Sequence, residues 1–132
     1  MKRTIASTAI ACLVAGLAFA AVDASAATLK IKCEQRGTQR ATISVDGSKL
    51  PSGLMYTAEV SSGLHTATSA PATPVGGELE FDFDSDAGDI AEGATPIAGD
   101  FIVNGSAIGM ISSADGTSFL IANTVPCRVR SH

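Results

Sequence analysis

The chain has 132 residues, thirteen acids against nine Lys and Arg, a formal net charge of −4 and three cysteines, with no Trp, one Tyr and five Phe. That length suits one domain after removal of a leader. Between Lys49 and Arg128 every charged side chain is acidic, which argues against nucleic acid as a partner, because phosphate binding depends on clustered Lys and Arg.

Residues 1–26 read as a secretory signal peptide. Lys2 and Arg3 form a short basic start, Ile10 to Val22 is apolar, and Ala24-Ser25-Ala26 is a small-x-small cleavage signal. The apolar run is too short to span a bilayer comfortably, and no later segment is apolar enough to do so. The expectation is a single domain over residues 27–132, exported to a periplasm or secreted, and the short basic start of the leader points to a bacterial export signal. Cys12 leaves with the signal, so Cys33 and Cys127 have one intramolecular pairing, which an oxidising compartment favours.

Residues 28–36 alternate Leu29, Ile31 and Cys33 with Lys30, Lys32 and Glu34, the period of a half-buried strand. Residues 40–46 repeat it with Ala41, Ile43 and Val45 inward, and Asp46-Gly47 reads as a turn. Leu54, Tyr56, Ala58 and Val60 form a third inner row. The Ser61 to Gly77 stretch, small and polar with Pro71 and Pro74, suits an edge strand or a long loop.

Glu78 to Asp84 is the segment around which the rest is organised. Leu79, Phe81 and Phe83 face inward, and Glu78, Glu80, Asp82 and Asp84 face outward. Residues 89–98 hold at most one helical turn, being broken by Gly93 and Pro96. Asn104-Gly105 predicts a hairpin between residues 101–103 and 107–111, and Asp115-Gly116 predicts another before residues 118–122. The final run places Phe119, Ile121, Val125, Cys127 and Val129 on one parity.

About seven short strands at this spacing predict an all-β fold, an antiparallel β-sandwich of immunoglobulin or fibronectin architecture fastened by Cys33–Cys127. The inner Trp and the cysteine spacing of true immunoglobulin domains are missing, so the likeness is one of architecture.

Calcium is the sharpest site hypothesis: Asp84, Asp86 and Asp89 offer hard oxygen ligands in a Gly-containing turn. The spacing departs from an EF-hand. With Asp82 as first ligand, Ala87 stands where Gly is required and Gly93 where Glu is required. A solvated acidic face is the plainer account of these acids. Lys30, Lys32, Arg128 and Arg130 form a basic patch, and its complementarity to the acidic strand offers weak head-to-tail self-association; otherwise the two are ordinary surface charges on opposite sides. Catalytic signals are sparse. His65 is the one internal histidine, no G-x-S-x-G elbow occurs, and Tyr56 is the only candidate aromatic sugar platform. The expected function is a non-enzymatic binding or structural module for a protein or other extracellular partner. A calcium-stabilised module is the alternative, and a small periplasmic hydrolase comes third.

Overall fold

A computed structural model describes residues 27–130; the expected signal peptide lies outside the described residues. Strands β1 (Thr28–Arg36), β2 (Arg40–Ser48), β3 (Tyr56–Ser62), β4 (His65–Thr68) and β5 (Leu79–Asp84) precede a single-turn helix α1 (Ala87–Ala91). Then come β6 (Thr95–Pro96), β7 (Ser106–Ser113), β8 (Leu120–Pro126) and β9 (Arg128–Val129). They form two sheets, one ordered β6-β5-β2-β1-β9 and the other β4-β3-β7-β8. No helix among the described residues is long and apolar enough to cross a membrane.

Period-two alternation produces the layering. In β2 and β3 every second residue is buried, so Ile43, Val45, Ala58 and Val60 project from the two sheets into one shared core with Phe83 and Ile111. Each of these side chains apart from the Ala58 methyl contributes roughly 1.5–3 kcal/mol on full burial. Tyr56 is fully buried, its hydroxyl donating to the Pro51 carbonyl and its ring meeting Phe119 edge-on at 5.6 Å. Burial of the phenol hydroxyl without that acceptor would leave it desolvated and unpaired, offsetting part of the packing gain.

The expected disulfide is present: Cys33 on β1 joins Cys127, between β8 and β9, across 94 positions. Closing a loop of that length corresponds to about 4–5 kcal/mol in the chain-entropy account. Beyond it β9 pairs parallel to β1, matching Glu34 with Arg128. The bond therefore lies where the chain passes from one sheet to the other.

Several local expectations are corrected. Among the described residues nine strands form instead of about seven, two of them only two residues long. Asp46-Gly47 is not a turn, since β2 runs on to Ser48. A Cβ on Gly47 would lie 2.7 Å from Ile111 Cδ1, so this glycine permits close packing of the sheets, and the chain turns at Lys49, whose φ is 56°. Asn104 and Gly105 have φ of 59° and 68°, the geometry of a primed turn. Its upstream arm is only an isolated bridge from Val103 to Ser106, so residues 101–103 are not a strand. The loop before β8 is longer than the Asp115-Gly116 dipeptide predicts. Asp115 organises it by accepting from the backbone amides of Thr117 and Ser118 and from the hydroxyls of Ser113 and Ser118. Those donors, the Ser113 hydroxyl first, hold the Asp115 carboxyl far below the usual carboxylate range. The helical turn begins at Ala87, two residues before the expected start, because the Asp86 carboxylate accepts from the amides of Gly88 and Asp89 and caps it there.

Candidate functional site

The outward side chains of β1, β2 and β5 share one face of the five-stranded sheet, and the register sets them in rows. Glu80 stands beside Asp46 and Asp46 beside Lys30; Asp82 stands beside Ser44 and Ser44 beside Lys32; Asp84 stands beside Thr42 and Thr42 beside Glu34. With strands about 4.8 Å apart, acid and base columns lie about 10 Å from each other. The acidic strand and the basic patch are therefore neighbours on one face, where the sequence alone allowed them to lie on opposite sides.

At the base end, Lys30, Lys32, Arg128 and Arg130 are all exposed. Arg130 pairs with Glu34 through its Nε at 3.3 Å, so the patch contains an acid of its own. At the acid end, the Ser44 hydroxyl donates to Asp82 Oδ1 at 2.7 Å. Asp46 Oδ1 is buried with no hydrogen-bond partner among the described residues. Repulsion from Asp82, then from Asp46, raises the Glu80 carboxyl above its ordinary pKa.

The next row is built differently. Asp84 points outward by parity yet is 5% exposed, because Arg40 and the α1 turn cover it. Arg40 Nε donates to Asp84 Oδ1 at 3.2 Å and Nη2 to Oδ2 at 3.0 Å, a two-pronged pair, while Nη2 also reaches Asp89 Oδ2 at 2.7 Å. The Asp86 amide adds a bond to Asp84 Oδ1 at 2.9 Å. Burial works against ionisation of Asp84, but the Arg40 hydrogen bonds and the Asp86 amide outweigh it, and its pKa falls. Asp89 shares the guanidinium but is raised, by desolvation and then by the Asp84 charge. In the sequence Arg40 is one of several bases that precede the acidic middle of the chain. Its position opposite the acidic turn depends on a pairing 44 residues away, and no local pattern carries that information.

Of the three proposed calcium ligands, Asp84 and Asp89 thus face a guanidinium, and Asp86 caps α1. Arg40 supplies at this place the positive charge that a cation would bring. Among the described residues no group of three or more His, Cys, Asp or Glu is arranged around one metal position. His65 Nδ1 lies 2.7 Å from the Phe101 carbonyl oxygen and its ring stacks at a tilt on Phe101, so it fastens β4 to the loop that precedes β7.

Beside this row runs a groove of about 610 Å³. One wall is β5 with Glu80, Asp82 and Asp84, the other is the segment Ser69–Ala72, and Asp89, Glu92 and Thr95 close one end. Among the described residues Arg40 is the only base that lines it. Compared with models of protein families, with curated proteins and with solved structures, the chain matches none.

Proposed function

We propose that the chain is an exported, non-enzymatic binding module that captures a cationic partner in the acidic groove beside β5. The observation that carries this reading is the charge of the groove: Glu80, Asp82, Asp89 and Glu92 line it, and its single base is already committed to Asp84 and Asp89. A cleft of one sign focuses counter-charge and speeds association with an oppositely charged partner. Export is supported by the residue 1–26 pattern and by the Cys33–Cys127 bond, which belongs to oxidising compartments.

An immunoglobulin or fibronectin-like sandwich accounts for the groove. Naming the long strands in chain order, β1-β2-β5 correspond to A-B-E, and β3-β7-β8 to C-F-G, of that architecture. In the constant-type order a fourth strand, D, covers strand E. Here the fourth strand, the short β4, pairs with β3 instead, so among the described residues β5 has only the two-residue β6 along its outer side.

The test is binding of a fluorescein-labelled peptide of alternating Lys and Ala to the disulfide-intact protein, followed by anisotropy at rising salt. The peptide binds at low ionic strength, affinity falls as salt screens the groove, and Glu80→Gln with Asp82→Asn weakens it about tenfold, or about 1.4 kcal/mol. A matched Glu-Ala peptide binding equally well, or salt-independent affinity, would contradict the reading.

A further inference from the structure

The β5 edge itself is incompletely paired. Ser85 donates its amide to the Ala41 carbonyl, and by antiparallel alternation Phe83, Phe81 and Leu79 also turn their backbone groups to β2. Glu80, Asp82 and Asp84 turn theirs to the opposite side, into the groove. Asp84 is met there, its carbonyl accepting from the Ile97 amide at 3.0 Å, and β6 reaches only Phe83 and Asp84. Neither the amide of Asp82 nor the amide and carbonyl of Glu80 has a partner on that side among the described residues.

The preceding segment begins to cover this edge and then leaves it. Val75 and Glu78 exchange both backbone bonds at 3.1 Å, the first rung of a hairpin on β5. Its next rungs would match Thr73 with Glu80 and Pro71 with Asp82. Pro71 has no amide to give, and Ala72 has both backbone groups committed to Tyr56 in the other sheet, at 2.8 Å each. The chain is thus drawn away to the four-stranded sheet, and the space it vacates is the groove.

We infer that the groove is a strand acceptor: an extended peptide of a partner protein, with Lys or Arg at alternate positions, adds antiparallel to β5 at Glu80 and Asp82. This rests on the reading of the groove as a cationic-partner site. Backbone bonds to Glu80 and Asp82 supply the attachment, and side-chain alternation supplies the selectivity. Residues opposite Glu80 and Asp82 share their outward face and meet the two carboxylates, where a cation also relieves the repulsion between Glu80, Asp82 and Asp46. Intervening residues face Phe81 and Ala72 and are small and apolar.

The experiment uses acetyl-Lys-Ala-Lys-Ala-Lys-amide and two backbone N-methylated forms, one methylated on the Lys amides that would face β5 and one on the Ala amides that would face away. Strand addition predicts that the parent and the Ala-methylated peptide bind alike, that the Lys-methylated peptide binds at least tenfold more weakly, and that the Glu80 and Asp82 amides gain exchange protection in the complex. Equal binding of all three peptides without that protection would overturn strand addition and leave a purely electrostatic groove. Failure of every peptide at low salt would overturn both readings. Concentration-dependent protection of the same two amides without peptide would make a second copy the occupant and overturn the assignment to a partner protein.

Discussion

Two strands on the rims of the sheets, β8 and β5, leave their edges in different conditions. On β8, pairing with β7 directs Leu120, Ala122, Thr124 and Pro126 outward, as the Ser113 to Phe119 and Cys127 to Gly105 bonds fix. Pro126 has no amide, Asn123 Oδ1 accepts the Thr124 amide at 2.9 Å, and β1 of the facing sheet runs close beside the strand. These are means by which natural sheets block edge-to-edge pairing, and they act at Thr124 and Pro126; the outward amides of Leu120 and Ala122 have no backbone partner among the described residues. On β5 the same element, proline, has the reverse effect: Pro71 stands in the segment that would have covered the edge, and so uncovers it. Where a proline falls relative to an edge decides whether that edge is closed or exposed.

The largest perturbation available is to the fastening of the closed side. Replacing Cys33 and Cys127 together by Ser releases β8 and β9 from β1 and costs about 4 kcal/mol, a fall in melting temperature of roughly twenty degrees for a domain of this size. Calorimetry against the oxidised parent checks it, and an unchanged midpoint would mean that the closed side does not need the bond. Next comes the post at the end of the open side. Arg40→Ala removes the counter-charge of Asp84 together with part of its cover; since water can then reach the carboxylate and Arg40 is itself partly exposed, the cost is about 1–2 kcal/mol, read as a lower urea midpoint. The pH dependence has a definite sign. Asp84 is lowered in the fold, so its contribution is present above the unfolded carboxyl pKa of about 4 and lost as pH falls through the lower folded value. The gap between parent and Arg40→Ala should therefore be full at pH 7 and narrow in acid.

Glu80→Gln acts on the open edge with a smaller and opposite effect. Because Glu80 is raised, its ionised form is disfavoured in the fold, and the substitution should stabilise by a few tenths of a kcal/mol at pH 7. That gain disappears as pH falls below the unfolded carboxyl pKa, where Glu80 is protonated in both states. Smallest of all is the response to calcium. With Arg40 between Asp84 and Asp89, excess calcium or chelator should move the melting midpoint by no more than about a degree; a shift of ten degrees or more, as tight binding gives, would establish the calcium module instead.

What was legible in the sequence was whatever alternation records. β1 runs over the residues that its period-two pattern marks, the inward rows of β2 and β3 form the core, and Cys33 and Cys127, with Cys12 assigned to the expected leader, had a single possible partner each. What was not legible depended on contacts distant along the chain. Asp84 has the same parity as the exposed Glu80 and Asp82, and only Arg40, 44 positions away, makes it a buried anion. Gly47 looks like a turn residue because Asp-Gly commonly is one, yet the requirement comes from Ile111 in the other sheet. Pro71 and Pro74 marked a break in regular structure, but that the break would bare β5, and not merely form a loop, follows from the Ala72 bonds to Tyr56. The two charged patches were visible as residues; their meeting on one face required the β1-β2-β5 register.

The central claim, an open edge on β5 opposite a closed inner side, is tested most directly by amide hydrogen exchange of the free protein. Phe81 and Phe83, bonded to β2, should exchange only through global unfolding, while Glu80 and Asp82 between them exchange on the order of a hundredfold faster or more, as local exposure allows. Alternating slow and fast amides along four consecutive residues would establish the open edge. Uniform protection from Glu80 to Phe83 would mean that another segment covers β5, and the account of the groove as a strand acceptor would fail.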